Sequence, residues 1–323
     1  MKQLQIVAPG EAVWKDVDIP TPRPGETLVK VEAVTTCPQW DLHIMRGEPM
    51  FPGMELPFPY YPGQPGHEMV GRVEQVVTGA ATSSLKPGDR VVAWRDSGPT
   101  RIGSYGQYVP VPTENLLPVT DDLAAEDIAS LELAMCVQVS FDQLLQIGSL
   151  AGKAVGVSGL GPAGLIAVQI AKALGAASIM AYDPVESRCE LARSLGADQA
   201  MDPAYEARAD VFLDFGLDMT GLPGAIRFLV DRTRTAVAMF GVVREDIVFP
   251  ASKWYGGFSL VGYGSHNLGA AKRALTWIQL GRLRLAPLVT HRLRFDQYAK
   301  GISMIEKREA IKVLFDPWTD PEG

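Results

Sequence analysis

The chain has 323 residues, 47% of them hydrophobic, with a net charge of -7 and a pI near 5.2. That length overfills one core and implies two domains, and the acidic balance leaves no surplus of Lys and Arg for phosphate backbones or anionic lipid, so no nucleic acid and no membrane is expected as a partner. Cys37, Cys136 and Cys189 are far apart and form no C-x-x-C pair, which argues against a disulfide framework or a four-thiolate zinc site and fits a reducing, cytoplasmic setting.

The first residues, broken by Pro9-Gly10, lack the apolar core of a signal peptide. Short strands are predicted at 28–34, 69–77, 90–94 and 105–111, cut by Pro24-Gly25, Pro62-Gly63, Pro65-Gly66 and Pro87-Gly88 in the manner of a partly open barrel. Thr120, followed by Asp121 and Asp122, reads as the N-cap of a helical stretch through Gln146 that leads into a second domain. Residues 154–171 are nearly uncharged and long enough for a membrane span, but Gly156, Gly159 and Gly161-Pro162 make the break a turn instead.

Beyond it, strands at 154–158, 178–182, 210–213, 235–241 and 259–263 alternate with helices after the first two and near 223–231. This alternation implies crossover units and a parallel sheet. A helix near 270–280, a strand at 288–293 and a helix near 297–307 close the pattern.

Gly159-Leu160-Gly161-Pro162-Ala163-Gly164 is G-x-G-x-x-G placed between a strand and a helix. Its first glycine permits a tight turn, the second a close approach to a pyrophosphate, and the third close helix packing, while the helix N-terminus offers N–H groups to the anion. Asp183, nineteen residues on, is positioned for ribose hydroxyls and against a 2′-phosphate, which favours NAD(H) over NADP(H). Arg188 runs slightly against this, since a nearby guanidinium can receive that phosphate, but it lies inside the following helix. Gly241, ending a predicted strand, joins this cofactor set.

Cys37, Gly66-His67-Glu68-Met69-Val70-Gly71, Glu132 in Leu131-Glu132-Leu133-Ala134, Pro87-Gly88-Asp89-Arg90-Val91 and Val289-Thr290-His291 together resemble the zinc-containing medium-chain dehydrogenases/reductases of the alcohol and sorbitol dehydrogenase kind, end to end. The resemblance implies an α/β architecture: a GroES-like β-rich catalytic domain (residues 1–134, returning at 263–323) with an inserted Rossmann doubly wound parallel sheet (135–262). It also implies a homodimer or homotetramer. Cys37 and His67 match the first two ligands of one catalytic Zn²⁺, and Glu68 or Glu132 completes or supports the coordination. A thiolate, an imidazole and a carboxylate cancel the charge of the ion and leave a position open for Lewis-acid chemistry on an alcohol or carbonyl.

Taken singly, Cys37 also reads as a small buried hydrophobe, His67 as a core histidine and Glu132 as a helix-surface charge. The first ligand loop, Cys37-Pro38-Gln39-Trp40-Asp41-Leu42-His43, is one residue longer than the family pattern and lacks its hydroxyl, while Asp41 and His43 match the family's acid and outer histidine. The stretch 93–106 carries none of the cysteines of a structural zinc lobe, so a second zinc is not expected. Three functions follow: a zinc- and NAD-dependent alcohol, polyol or sugar dehydrogenase; a zinc-free NAD(P)H quinone or enone reductase; and a non-catalytic NAD(H)-binding protein.

Overall fold

The computed structural model describes residues 1–51, 53–79, 84–206 and 212–318. In chain order it begins with β1 (Lys2–Ala8), β2 (Glu11–Asp16), β3 (Glu26–Thr35), α1 (Pro38–Arg46), β4 (Glu68–Val76), β5 (Arg90–Ala93), β6 (Tyr108–Pro112), β7 (Leu116–Pro118), α2 (Ala125–Ile128) and α3 (Leu131–Ile147). There follow β8 (Ala154–Ser158), α4 (Pro162–Ala173), β9 (Ser178–Tyr182), α5 (Glu186–Leu195), β10 (Gln199–Met201), β11 (Leu213–Asp218), α6 (Pro223–Arg232), β12 (Thr233–Met239), β13 (Ser259–Gly262) and α7 (Leu268–Gln279). The last elements are β14 (Val289–Arg294), α8 (Tyr298–Glu306) and β15 (Lys312–Asp316).

The chain divides into two compact units, Met1–Leu133 with Leu285–Gly323, and Ala134–Arg284. The return to the first unit therefore comes at Leu285, after α7, and not at residue 263 as the sequence reading had it. The reason lies in α7, whose Trp277 indole and Arg273 guanidinium bond Gln138 and Asp142 of α3, tying the helix to the second unit.

The first unit is a seven-stranded sheet ordered β14-β15-β3-β4-β5-β7, with β6 also paired to β3, and a separate β1-β2 hairpin. Buried Val29, Val31, Val34, Met69, Val73, Val91 and Phe315 fill its core, each contributing about 1.5–3 kcal/mol by leaving water. Register decides where the chemistry falls. Thr35 at the end of β3 lies opposite Glu68 at the start of β4 and opposite Leu314 in the middle of β15, so three segments distant in sequence meet there.

The second unit is a six-stranded parallel sheet ordered β10-β9-β8-β11-β12-β13, the strand order of a dinucleotide-binding fold. Near-continuous apolar strands such as β8 and β9 reflect burial on both faces. The stretch 154–171 is β8, the glycine turn and most of α4, as its breakers imply. Of the predicted strand 210–213, residues 210–211 lie outside the described residues, and the strand itself runs on from Leu213 to Asp218.

Two local expectations are corrected. Thr120 is not an N-cap: the Arg90 guanidinium takes the carbonyls of Thr120 and Leu123, which a helix would need internally, and the Thr120 hydroxyl bonds Asp122. Helix formation is postponed to Ala125. The segment after Cys37 is not a loop but α1, with Pro38 in its first turn and left-handed Gly47 (φ +69°) closing it.

Candidate metal centre and dinucleotide site

In the first unit Cys37, His67 and Glu68 each offer a ligand atom within 4.8 Å of the others. Glu132, on the first turn of α3, joins them with Oε2 3.7 Å from His67 Nε2. His67 is fixed through its other nitrogen, Nδ1, which lies 2.8 Å from the carbonyl oxygen of Pro65. A carbonyl only accepts, so Nδ1 carries the proton and the Nε2 lone pair faces the anionic side chains, the tautomer a metal-binding histidine needs.

Charge is concentrated here. Burial raises the Cys37 thiol above its ordinary value against the pull of His67. Burial by itself would lower His67, but Cys37, then Glu132 and Glu68, outweigh it and raise the imidazole well above its usual range. The anions around Nε2 therefore favour a positive charge at that atom, which a proton or, in its place, a metal ion can supply. The donor set of thiol, imidazole and carboxylate is that of catalytic zinc, so these residues fit the ion.

The extra residue in the first ligand segment does not displace the acid. Asp41 sits in the first turn of α1 and its Oδ2 accepts the Cys37 backbone N–H at 2.8 Å, closing the helix start onto the ligand. It also accepts the hydroxyls of Tyr105 at 3.0 Å and Tyr298 at 2.7 Å. Burial pushes Asp41 up to about 6, against those bonds, and burial with the neighbouring Asp41 keeps both phenols well above their ordinary value. Asp41 is thus a buried anchor for Cys37, whereas His43 pairs with Glu48 (Nδ1 to Oε2, 3.7 Å).

Glu68 faces a partner that the sequence did not reveal. Its oxygens lie 2.8 and 2.7 Å from Lys312 Nζ, and Oε2 also accepts the Thr35 hydroxyl at 3.2 Å. Lys312 was legible only as one charge ahead of the apolar run Val313-Leu314-Phe315.

In the second unit the glycine loop has the form its spacing predicted. Gly159 takes φ +88°, and a Cβ on Gly164 would stand 1.8 Å from the Gly159 carbonyl oxygen, so helix and loop touch there. A Cβ on Gly161 would meet no protein atom, which marks open space at the helix mouth and fits a phosphate approaching the first-turn N–H groups. Leu160 is fully buried and its N–H is spent on Asp183 Oδ2 at 2.8 Å; Pro162 has none to give.

Asp183 has a structural task of its own. Its two oxygens tie the glycine loop at Leu160 to the turn at Val185, with spare lone pairs left, and Arg188 Nη1 stands 3.7 Å away. Gly241 lies where two loops cross: a Cβ there would be 2.0 Å from the Gly221 nitrogen. Asp218, which sequence reasoning missed, organises that crossing by accepting from Thr220 and Gly221. Cys136, on α3, has its sulfur 3.4 Å from His266 Nε2.

Comparison with known proteins places these features. Residues 23–121 match the alcohol dehydrogenase GroES-like domain and residues 162–279 the zinc-binding dehydrogenase domain. The chain is 29% identical to L-threonine 3-dehydrogenase of Cronobacter sakazakii, over 97% of this chain and 99% of that protein. The alignment spans 354 positions, more than the 323 residues available, so that relative carries segments this chain lacks. Among solved structures it is similar to an alcohol dehydrogenase from Thermus sp. ATN1 (25% identity, TM-score 0.83, 98% and 99% of the two chains). It also shares the fold of a Sinorhizobium meliloti protein of the zinc-binding dehydrogenase class solved with NADP (24%, 0.85, 98% and 99%).

Proposed function

Since the chain belongs to the zinc-containing medium-chain dehydrogenases/reductases, we propose that it is a zinc-dependent, NAD(H)-linked oxidoreductase interconverting a secondary alcohol, polyol or sugar derivative and its carbonyl counterpart. The observation that carries this reading is the meeting of Cys37, His67 and two carboxylates in one pocket, with the Nδ1 of His67 already tied to a carbonyl.

In this reading Cys37, His67 and Glu132 hold the zinc. Glu132 is preferred to Glu68 because both oxygens of Glu68 are engaged by Lys312. Bound there, the ion supplies a Lewis acid that stabilises developing negative charge on the substrate oxygen. Asp41 fixes the backbone of Cys37, and His43 is assigned the outer end of a proton path. Gly159, Gly161 and Gly164 seat the pyrophosphate, and Asp183 favours a free ribose hydroxyl over a phosphate. Arg188, close to that acid, sets how strong the preference is.

Elemental analysis of the purified protein beside a Cys37→Ala variant tests this directly. About one zinc per chain, lost in the variant, is expected. A carefully prepared wild type without zinc overturns the reading and returns the zinc-free reductase to first place.

A further inference from the structure

Lys312 opens β15 and is wholly buried, as is Glu68. An ammonium has three protons to donate. Lys312 spends all of them inside the protein, on Glu68 Oε1 at 2.8 Å, on Glu68 Oε2 at 2.7 Å and on the backbone oxygen of Thr36 at 2.5 Å. Thr36 immediately precedes Cys37, and Glu68 immediately follows His67. The Thr36 hydroxyl further accepts the Val313 N–H at 3.0 Å. One cation thus joins the two segments that carry the thiol and the imidazole.

We propose that Lys312 is a positioning residue for the metal centre: it staples the Thr36-Cys37 segment to the His67-Glu68 segment and holds Glu68 out of the coordination sphere, leaving Glu132 as the carboxylate ligand. The proposal rests on the zinc reading above. Two physical arguments carry it. The first is geometric: Glu68 has an oxygen within 4.8 Å of both the Cys37 sulfur and a His67 nitrogen, so only its engagement elsewhere keeps it from the ion. To reach a metal it would have to leave Lys312, stranding a buried ammonium.

The second argument is charge. The Cys37 thiolate, Glu68 and Glu132 carry three negative charges and Lys312 returns one, so a divalent cation brings the cluster to neutrality. Without Lys312 the loaded cluster would be anionic and would hold an idle carboxylate beside the ion. Both changes weaken the pull of the metal on a substrate oxygen. A lysine that merely anchored β15 would leave the donor set at the metal unchanged when replaced.

Cobalt(II) in place of zinc reads that donor set through its visible absorption, independently of turnover. The expected results are intense four-coordinate bands in the wild type, the same bands in Glu68→Gln, and several-fold weaker bands in Lys312→Met as Glu68 enters. The double variant Lys312→Met with Glu68→Gln should return to the wild-type spectrum. Chelator competition should show zinc affinity in Glu68→Gln reduced by no more than the roughly 10–100-fold typical of an outer partner.

A changed cobalt spectrum in Glu68→Gln, or an unchanged one in folded Lys312→Met, overturns the proposal. Should Lys312→Met fail to fold, Glu68→Gln and the double variant decide the matter. A wild type that takes up neither zinc nor cobalt instead fails the reading on which the proposal stands.

Discussion

The two candidate sites are built by opposite means. In the dinucleotide unit, what receives the ligand is backbone: a left-handed Gly159, an open position at Gly161, and the N-terminus of α4, all within a few consecutive residues. In the metal unit it is side chains: Cys37, His67, Glu132 and the supporting Lys312 come from four separate segments, three of them brought together by strand register and the fourth carried by the first turn of α3. A backbone site tolerates side-chain change where there is room and fails where there is none. A side-chain site concentrates charge and fails when one partner is lost.

That contrast is open to measurement, with the largest effect expected at the metal. Cys37→Ala should lower kcat/KM on the order of 10³- to 10⁴-fold, because Lewis-acid assistance is worth several kcal/mol. Activity within tenfold of wild type would show that the cluster is not the reacting centre.

Next is Lys312→Met, which leaves Glu68 buried without its counter-charge. It should cost about 3–5 kcal/mol in urea unfolding, with much of that recovered when Glu68 is also replaced by Gln. A loss below 1 kcal/mol would mean that the pair is not buried as described.

Asp41 should give a pH signature. Its folded value of about 6 stands above the ordinary 3.8, so the stability tied to its proton is fully present below pH 3.8 and is lost as pH rises through 6. Between pH 4 and 7, metal-free wild type should therefore lose about 2.4 kcal/mol relative to Asp41→Asn. A difference that stays constant across that range would refute the burial argument.

In the backbone site, Gly164→Ala should cost about 1–3 kcal/mol of stability and weaken NADH binding, while Gly161→Ala, which meets no protein atom, should spare stability and weaken NADH alone. Equal destabilisation by the two would erase the distinction. The smallest effect is expected at the cofactor's ribose: Asp183→Asn should move the NADH to NADPH affinity ratio by about tenfold, or about 1.4 kcal/mol, toward NADPH. No movement would leave Asp183 as the loop tie alone.

What could be read in advance follows the same division. The glycine loop, α5 and the alternation of strand and helix lie in contiguous patterns, so local periodicity and turn chemistry expose them. Cys37, His67 and Glu132 were reached through motifs with a family resemblance, because no local rule brings residue 132 beside residue 67. Lys312 carried no signal: its partner is 244 residues away, and one lysine before an apolar strand looks like any strand boundary. α1 was different. Pro38 and Gly47 are ordinary start and stop signals, obscured by reading the segment between them as a ligand loop.

The separation between Glu68 and Lys312 has a consequence in time. The proposed zinc ligands are all synthesised within the first 132 residues, yet the cation that neutralises their neighbour follows only after the whole second unit. At about 5–20 residues per second, a ribosome needs roughly 10–35 s to pass from Glu132 to Lys312. Throughout that interval the nascent chain displays a thiol, an imidazole and two carboxylates without their counter-charge, so the cluster acquires its full complement of charge late in its own synthesis.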